Sequence, residues 1–303
     1  MTLRRFILLA LVCSAAGAIA DQGHEVRIED INRLISENPS LPDLYYQRGI
    51  NYAEIPRFDE ARADFEKVLT LSPGFIPAER ELAQMDADTG KLAEGIARLR
   101  KAIDGATADA AFHLPYCYAV LADLHLRERK DTEALAAAQK GIDMSTELNI
   151  DLYLFRAEAQ RRLGKHDDRV RDLATAKEKV KSYLLVVMWV EALIDAGQTA
   201  EALPFIEKEL EASRLKASWL IRRARLYLHE RKQTQATADL EQALAEIETR
   251  LRPERPDLSL LCDRALIYAL LGRKSEAATE LAGAKAQGAV SWMTRNAESV
   301  LAK

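Results

Sequence analysis

A small residue returns every 33 to 41 positions along most of this chain, and each return brings the same neighbours with it. Gly49, Ala83, Ala122, Ala157, Val190, Ala224 and Ala265 form an anchor column. Twelve residues later stand Ala61, Gly95, Ala134, Arg169, Ala202, Ala236 and Ala277, and sixteen later the mostly large set Phe65, Leu99, Ala138, Leu173, Ile206, Leu240 and Leu281. A fourth column follows nineteen after the anchor: Val68, Ala102, Gly141, Ala176, Glu209, Ala243 and Ala284. Four before the anchor come Tyr45, Glu79, Tyr118, Tyr153, Val186, Leu220 and Leu261; three after it come Tyr52, Asp86, His125, Gln160, Leu193, Tyr227 and Tyr268. Spacings of three and four place these residues on one face of a helix. Seven after the anchor stand Pro56, Gly90, Arg129, Gly164, Gly197, Arg231 and Gly272, a helix stop in five of the seven, and six of them precede Lys or Arg. Each unit therefore predicts an antiparallel helix pair. The two small columns let the backbones approach, and stability comes from stacking on neighbouring pairs.

Composition agrees. With 13 Gly and 9 Pro in 303 residues there are too few turn formers for a β-sandwich. A hydrophobic share of 48% is too high for a disordered chain. The formal net charge of −4 argues against nucleic acid as a partner, which would require a basic stripe to displace counterions.

The first residues read as an address. Met1 to Arg5 is basic, Phe6 to Ala20 is an almost unbroken apolar run, and it closes on Ala18-Ile19-Ala20 before Asp21. At 1.5 Å per residue the run spans about 22 Å, short of the roughly 30 Å hydrocarbon core. A signal peptide over 1–20, cut after Ala20, is expected in preference to an uncleaved anchor. Cys13 lies in mid-run after Val12, which disfavours lipidation there. The expected location is exported and, in a bacterium, periplasmic, with no membrane span after cleavage. Cys117 and Cys262 fall four repeats apart and read as unpaired, buried small residues.

The arrangement resembles the tetratricopeptide repeat family over nearly all of the chain after residue 20. Its best unit is Leu44-Tyr45-Tyr46-Gln47-Arg48-Gly49-Ile50-Asn51-Tyr52, followed by Ala61, Phe65 and Pro73. Arg48, Arg156, Arg223 and Arg264 depart from the family pattern, standing before the anchor where Leu is usual; Glu79, Asp86, Arg169 and Glu209 depart in apolar or small columns. The resemblance implies an all-α, right-handed superhelical solenoid of about seven helix pairs. Its units lie near 42–75, 76–109, 115–148, 150–182, 183–216, 217–250 and 258–288, between a capping segment at 21–41 and another at 289–303. Arg250 to Pro256 reads as a hinge or an elongated loop, the loop preferred.

A search for chemistry finds little. His24, His113, His125, His166 and His229 are scattered, with no His pair and Glu on one helical face, so neither metal nor cofactor is expected. No phosphate loop, nucleophile elbow or Cys-x-x-Cys appears, and an enzyme is not expected. In the family the first helices line a concave peptide-binding groove. Projecting that face here gives Tyr46, Arg80, Leu154, Val187 and Ile221 in one row, and Ile50, Gln84, Asp123, Glu158, Glu191 and Arg225 in the other. Asp123, Glu158 and Glu191 are consecutive acids that Arg161, Arg162 and Arg225 could neutralise. The family's Lys and Asn clamp for a terminal carboxylate is not matched on these rows. The expectation is an exported scaffold for a protein or peptide partner; the alternative is an accessory or regulatory subunit of a cell-envelope enzyme or assembly complex.

Overall fold

The computed structural model describes residues 15–252, 254 and 256–302, with side chains from residue 23. The basic start and most of the apolar run, with Cys13, lie outside these residues, as do Pro253 and Arg255 in the long connection. Among the described residues there are sixteen α-helices, one 3-10 turn and no strand. The chain packs as two compact units divided between Lys181 and Ser182.

The first unit opens with α1 (Ala15–Glu37) and continues through the pairs α2 (Pro42–Glu54) with α3 (Phe58–Leu71), and α4 (Ile76–Asp88) with α5 (Leu92–Asp104). The 3-10 turn Ala108–His113 fills the longer spacing before α6 (Leu114–Arg127) and α7 (Asp131–Met144), and α8 (Ile150–Arg162) with α9 (His166–Lys179) closes the unit. The second unit contains α10 (Tyr183–Asp195) and α11 (Thr199–Ala212), α12 (Ala217–His229) and α13 (Gln233–Arg250), then α14 (Leu258–Leu270), α15 (Lys274–Ala286) and α16 (Ser291–Leu301). α1 contributes Ile28 and Ile35 to the cluster that holds Tyr45 and Tyr52, and α16 covers α14. α1 starts ahead of residue 21, where the capping segment is expected to begin, because Ala15 to Ala20 is rich in strong helix formers and nothing stops the helix at Asp21.

Every anchor residue is buried, and so is every member of the second column. Close approach is literal at Gly95, where an added Cβ would stand 2.4 Å from the carbonyl oxygen of Ala83. Phe65 lies beneath Gly49 in the same way, its ring 2.8 Å from where a Cβ would be, and is itself 0% exposed. Burial of a side chain of that size contributes roughly 2–3 kcal/mol.

All seven turn positions have positive φ, including Arg129 at 65° and Arg231 at 60°. The next residue's N–H then reaches back to the carbonyl three after the anchor, at 2.8 to 2.9 Å in all seven repeats, as in Lys130 to His125 and Lys232 to Tyr227. This double reversal satisfies the last carbonyls of each first helix. It also explains the basic residue after the turn. Arg57 stacks on Tyr52 at 4.6 Å, and Arg273 on Tyr268 at 4.3 Å.

The arginines before the anchor are clasps within a helix pair. Arg48 donates to both carboxylate oxygens of Asp64 at 2.8 and 2.7 Å, and Arg223 to both of Asp239 at the same distances. Arg264 donates to Glu280 at 2.7 Å, and Arg156 lies 3.5 Å from Asp172. The partner always stands sixteen residues on. Where the arginine is absent, the acid is absent too: Leu121 faces position Ala137, and Trp189 meets Phe205 edge to face at 5.3 Å. Glu79 and Asp86 are likewise held, by Arg98 at 2.9 and 3.0 Å, with Arg62 also on Asp86 at 2.9 Å. Arg169 is 2% exposed in its column. These departures from the family pattern leave the helix register intact.

Candidate partner-binding face

The first helices carry both rows, each within its own unit. In the first unit Tyr46 and Ile50 are half-buried; the Tyr46 ring meets Phe65 at 5.8 Å and Phe75 at 5.5 Å. Its hydroxyl accepts from Arg80 at 3.3 Å, and Arg80 pairs with Glu81 at 2.7 Å. Gln84 is buried and donates to Asp88 at 3.0 Å. Asp88 accepts from Arg127 at 2.7 Å, and Arg127 reaches the Ala87 carbonyl at 2.9 Å while lying 3.9 Å from Asp123. Burial pushes the Asp123 carboxyl up to about 6; Arg127 and Arg162 pull against this, and Asp88 and Asp151 add to it.

Glu158 accepts from Arg161 at 2.8 Å and from Arg162 at 2.7 Å. Arg162 also donates to the Leu126 carbonyl at 2.7 Å, so it stitches α8 to α6 as Arg127 stitches α6 to α4. Leu154 is 6% exposed and belongs to the packing between helices.

In the second unit Glu191 lies between Arg225 at 2.5 Å and Arg222 at 2.8 Å, and Arg225 continues to Asp195 at 3.3 Å. Ile221 is 3% exposed, whereas Val187 is half-buried. Two of the three consecutive acids, Glu158 and Glu191, are thus neutralised by arginines of the same unit. The first row is half-open at Tyr46 and Val187 and closed at Leu154 and Ile221, and Ile50 of the second row is half-open.

A cleft of about 280 Å³, which no repeat column points to, lies at the starts of the first helices of the second unit, with Tyr183, Leu215, Trp219 and Asp263 among its walls. Tyr183 and Leu215 are 62% and 52% exposed. Tyr183 meets Trp219 edge to face at 6.4 Å, and Trp219 meets Phe205 at 6.1 Å. The cleft gathers residues from three repeats, and no single period contains it.

Cys117 and Cys262 are free and buried, and burial pushes both thiols up to about 11, so neither is a reactive thiolate. His125 is 2% exposed and lowered by burial and by Arg100, a packed residue. Among the described residues no three His, Cys, Asp or Glu side chains converge as metal ligands. No described helix is long and apolar enough to cross a membrane.

Stacked helix pairs with small-residue seams and a polar first-helix face define an all-α repeat protein of the kind that serves as a protein-interaction scaffold. Residues 42–75 match the tetratricopeptide repeat family model, and the fold is a tetratricopeptide repeat solenoid. It is 28% identical over 167 residues to human tetratricopeptide repeat protein 16, a match covering 48% of this chain and 19% of that protein. Over 131 residues it is 25% identical to the tetratricopeptide repeat and J domain-containing co-chaperone DNJ1 of Cryptococcus neoformans, covering 43% of this chain and 24% of that one. The matches thus span less than a quarter of these relatives' length. Among solved structures, a tetratricopeptide repeat protein from Parabacteroides merdae superposes with a TM-score of 0.62 at 16% identity, over 86% of this chain and 99% of that one.

Proposed function

We propose that this chain is an exported, non-enzymatic scaffold that holds a segment of a protein partner on its first-helix faces. The observation that carries this reading is the uneven burial of the two rows. The seam columns are shut, while Tyr46, Ile50 and Val187 stay half-open beside charges fixed by ion pairs. Half-open apolar side chains among fixed charges suit docking of a chain segment, with the apolar groups supplying affinity and the charges orientation. Export rests on the basic start, the apolar run and the Ala18-Ile19-Ala20 ending.

Photo-crosslinking residues at Tyr46 and Val187 on the first helices, and at exposed Glu66 and Glu241 on the second helices, test the face directly. Partner adducts from the first-helix positions in a fraction of the native host are the expected result. Adducts from Glu66 and Glu241 alone would move the interface to the other face. N-terminal sequencing of the native protein should start at Asp21; a membrane-retained chain still carrying Met1 would overturn export by cleavage.

A further inference from the structure

The cleft at the starts of α10, α12 and α14 combines three features that packing alone does not require. Its mouth is formed by Tyr183 and Leu215, both left largely in solvent, and the buried Trp219 lies in its wall. Its wall carries the carboxylate of Asp263, which makes no hydrogen bond to any described residue. Its other charges are already engaged. Arg222 lies on Glu191 at 2.8 Å and over the Trp219 ring at 5.2 Å, and Arg250 donates to Glu246 at 3.0 Å. Asp257 caps α14, accepting from the N–H groups of Ser259 and Leu260 at 2.9 and 3.2 Å.

We propose that this cleft is a subsite for a basic side chain, lysine or arginine, of the protein partner, with Asp263 as its counter-ion. The inference rests on the scaffold reading above and names the chemistry that the scaffold selects. A lysine or arginine carries an aliphatic stem that suits Tyr183 and Leu260, and a cationic head that suits both an aromatic wall and a carboxylate. An acidic side chain would instead face Asp263 with a like charge. A purely apolar one would bury that carboxylate without a hydrogen bond.

Charge supply points the same way. Burial raises the Asp263 carboxyl to about 6, with Arg222 and Arg250 lowering it and Glu191 and Asp257 raising it. A bound cation stabilises the ionised form, so binding draws the proton off and weakens as the pH falls below about 6.

The probe is N-acetyl-argininamide, titrated into the full chain while the indole N–H resonances of the tryptophans are followed by NMR, with Trp219 assigned through Trp219→Phe. The expected result is a saturable shift of the Trp219 signal at pH 7.5, at least tenfold weaker in Asp263→Asn and weaker in the wild type at pH 5. N-acetyl-norleucinamide, which has the stem without the charge, should leave the signal in place. An unmoved Trp219, an equal response in Asp263→Asn, or an equal response to the norleucine amide would overturn the subsite. Asp263→Asn removes no hydrogen bond, and circular dichroism checks that it folds. Partner adducts at Val187 that persist with any of those three results refute the subsite and leave the scaffold standing; absence of adducts from every first-helix position refutes the scaffold itself.

Discussion

Replacing Arg223 by Leu should be among the more damaging single changes available in the second unit, and replacing its partner as well should undo most of the harm. Asp239 is 5% exposed and accepts two hydrogen bonds from Arg223. Removing the arginine leaves a buried carboxylate unpaired, which in a fully enclosed site costs about 3–5 kcal/mol. The Arg223 side chain is 23% exposed, so water reaches the gap and about 2–3 kcal/mol is the better expectation. Asp239→Ala costs less, about 1 kcal/mol, because the freed guanidinium can turn to solvent. The double variant Arg223→Leu/Asp239→Ala reproduces the pair that the third repeat already uses, Leu121 with Ala137, each 7% exposed. It should lie within about 1 kcal/mol of wild type, since apolar replacement of a buried pair is often neutral. Urea unfolding monitored by circular dichroism measures all four corners of the cycle, and hydrogen exchange localises the loss to α12 and α13. Additive single-variant effects, or an Arg223→Leu cost under about 0.5 kcal/mol, would show that the clasp holds nothing.

Three further outcomes are expected. Ala236→Leu forces a larger side chain into a seam where Ala236 is 0% exposed, and should cost about 1–3 kcal/mol, with new protease cuts first appearing near α13; an unchanged melt would refute the seam. Arg129→Gly and Arg231→Gly relieve left-handed conformations that cost an L-residue about 1–2 kcal/mol, against about 0.4–1 kcal/mol of added chain entropy in the unfolded state. A thermal midpoint equal to or above wild type is expected for each, and a clear fall would contradict the turn assignment. Asp123→Asn should stabilise by about 1–3 kcal/mol above pH 7. The folded carboxyl titrates near 6 and the unfolded one near 4, so between those values the folded state holds the extra proton and wild-type stability falls as pH rises. The gain should vanish near pH 4, and a pH-independent difference would assign the effect to something other than this carboxyl.

The helix pairs were legible because their period is long and their seams demand one kind of residue. Gly49, Ala61 and Phe65 cannot change size without moving two backbones, so the columns are visible in one chain. The clasps were missed for a definable reason. Arg48 and Arg223 stand out as departures when judged against the family pattern, yet sixteen residues on each finds an acid, Asp64 or Asp239. Counting across the pair would have found it. The rows on the first-helix face were less readable, because Leu154 and Val187 look alike in sequence and differ in how far neighbouring helices cover them. Asp263 was invisible for a different reason: its setting is built by Tyr183, Trp219 and Leu260, which come from separate repeats.

Arg127 and Arg162 impose an order in time. The Ala87 carbonyl, already accepting Gly90 N–H at 3.2 Å, receives its second donor from a residue 40 positions further along, and the Leu126 carbonyl receives its own from 36 positions along. At about 5–20 residues per second, a ribosome delivers each missing donor roughly 2–8 s after the helix end that requires it. Until then the Ala87 carbonyl of α4, and later the Leu126 carbonyl of α6, has its local donor alone, Gly90 N–H or Arg129 N–H. A ribosome stalled just short of Arg127 would therefore leave the end of α4 closed by its own turn, through Gly90 and Lys91, but not yet tied to α6.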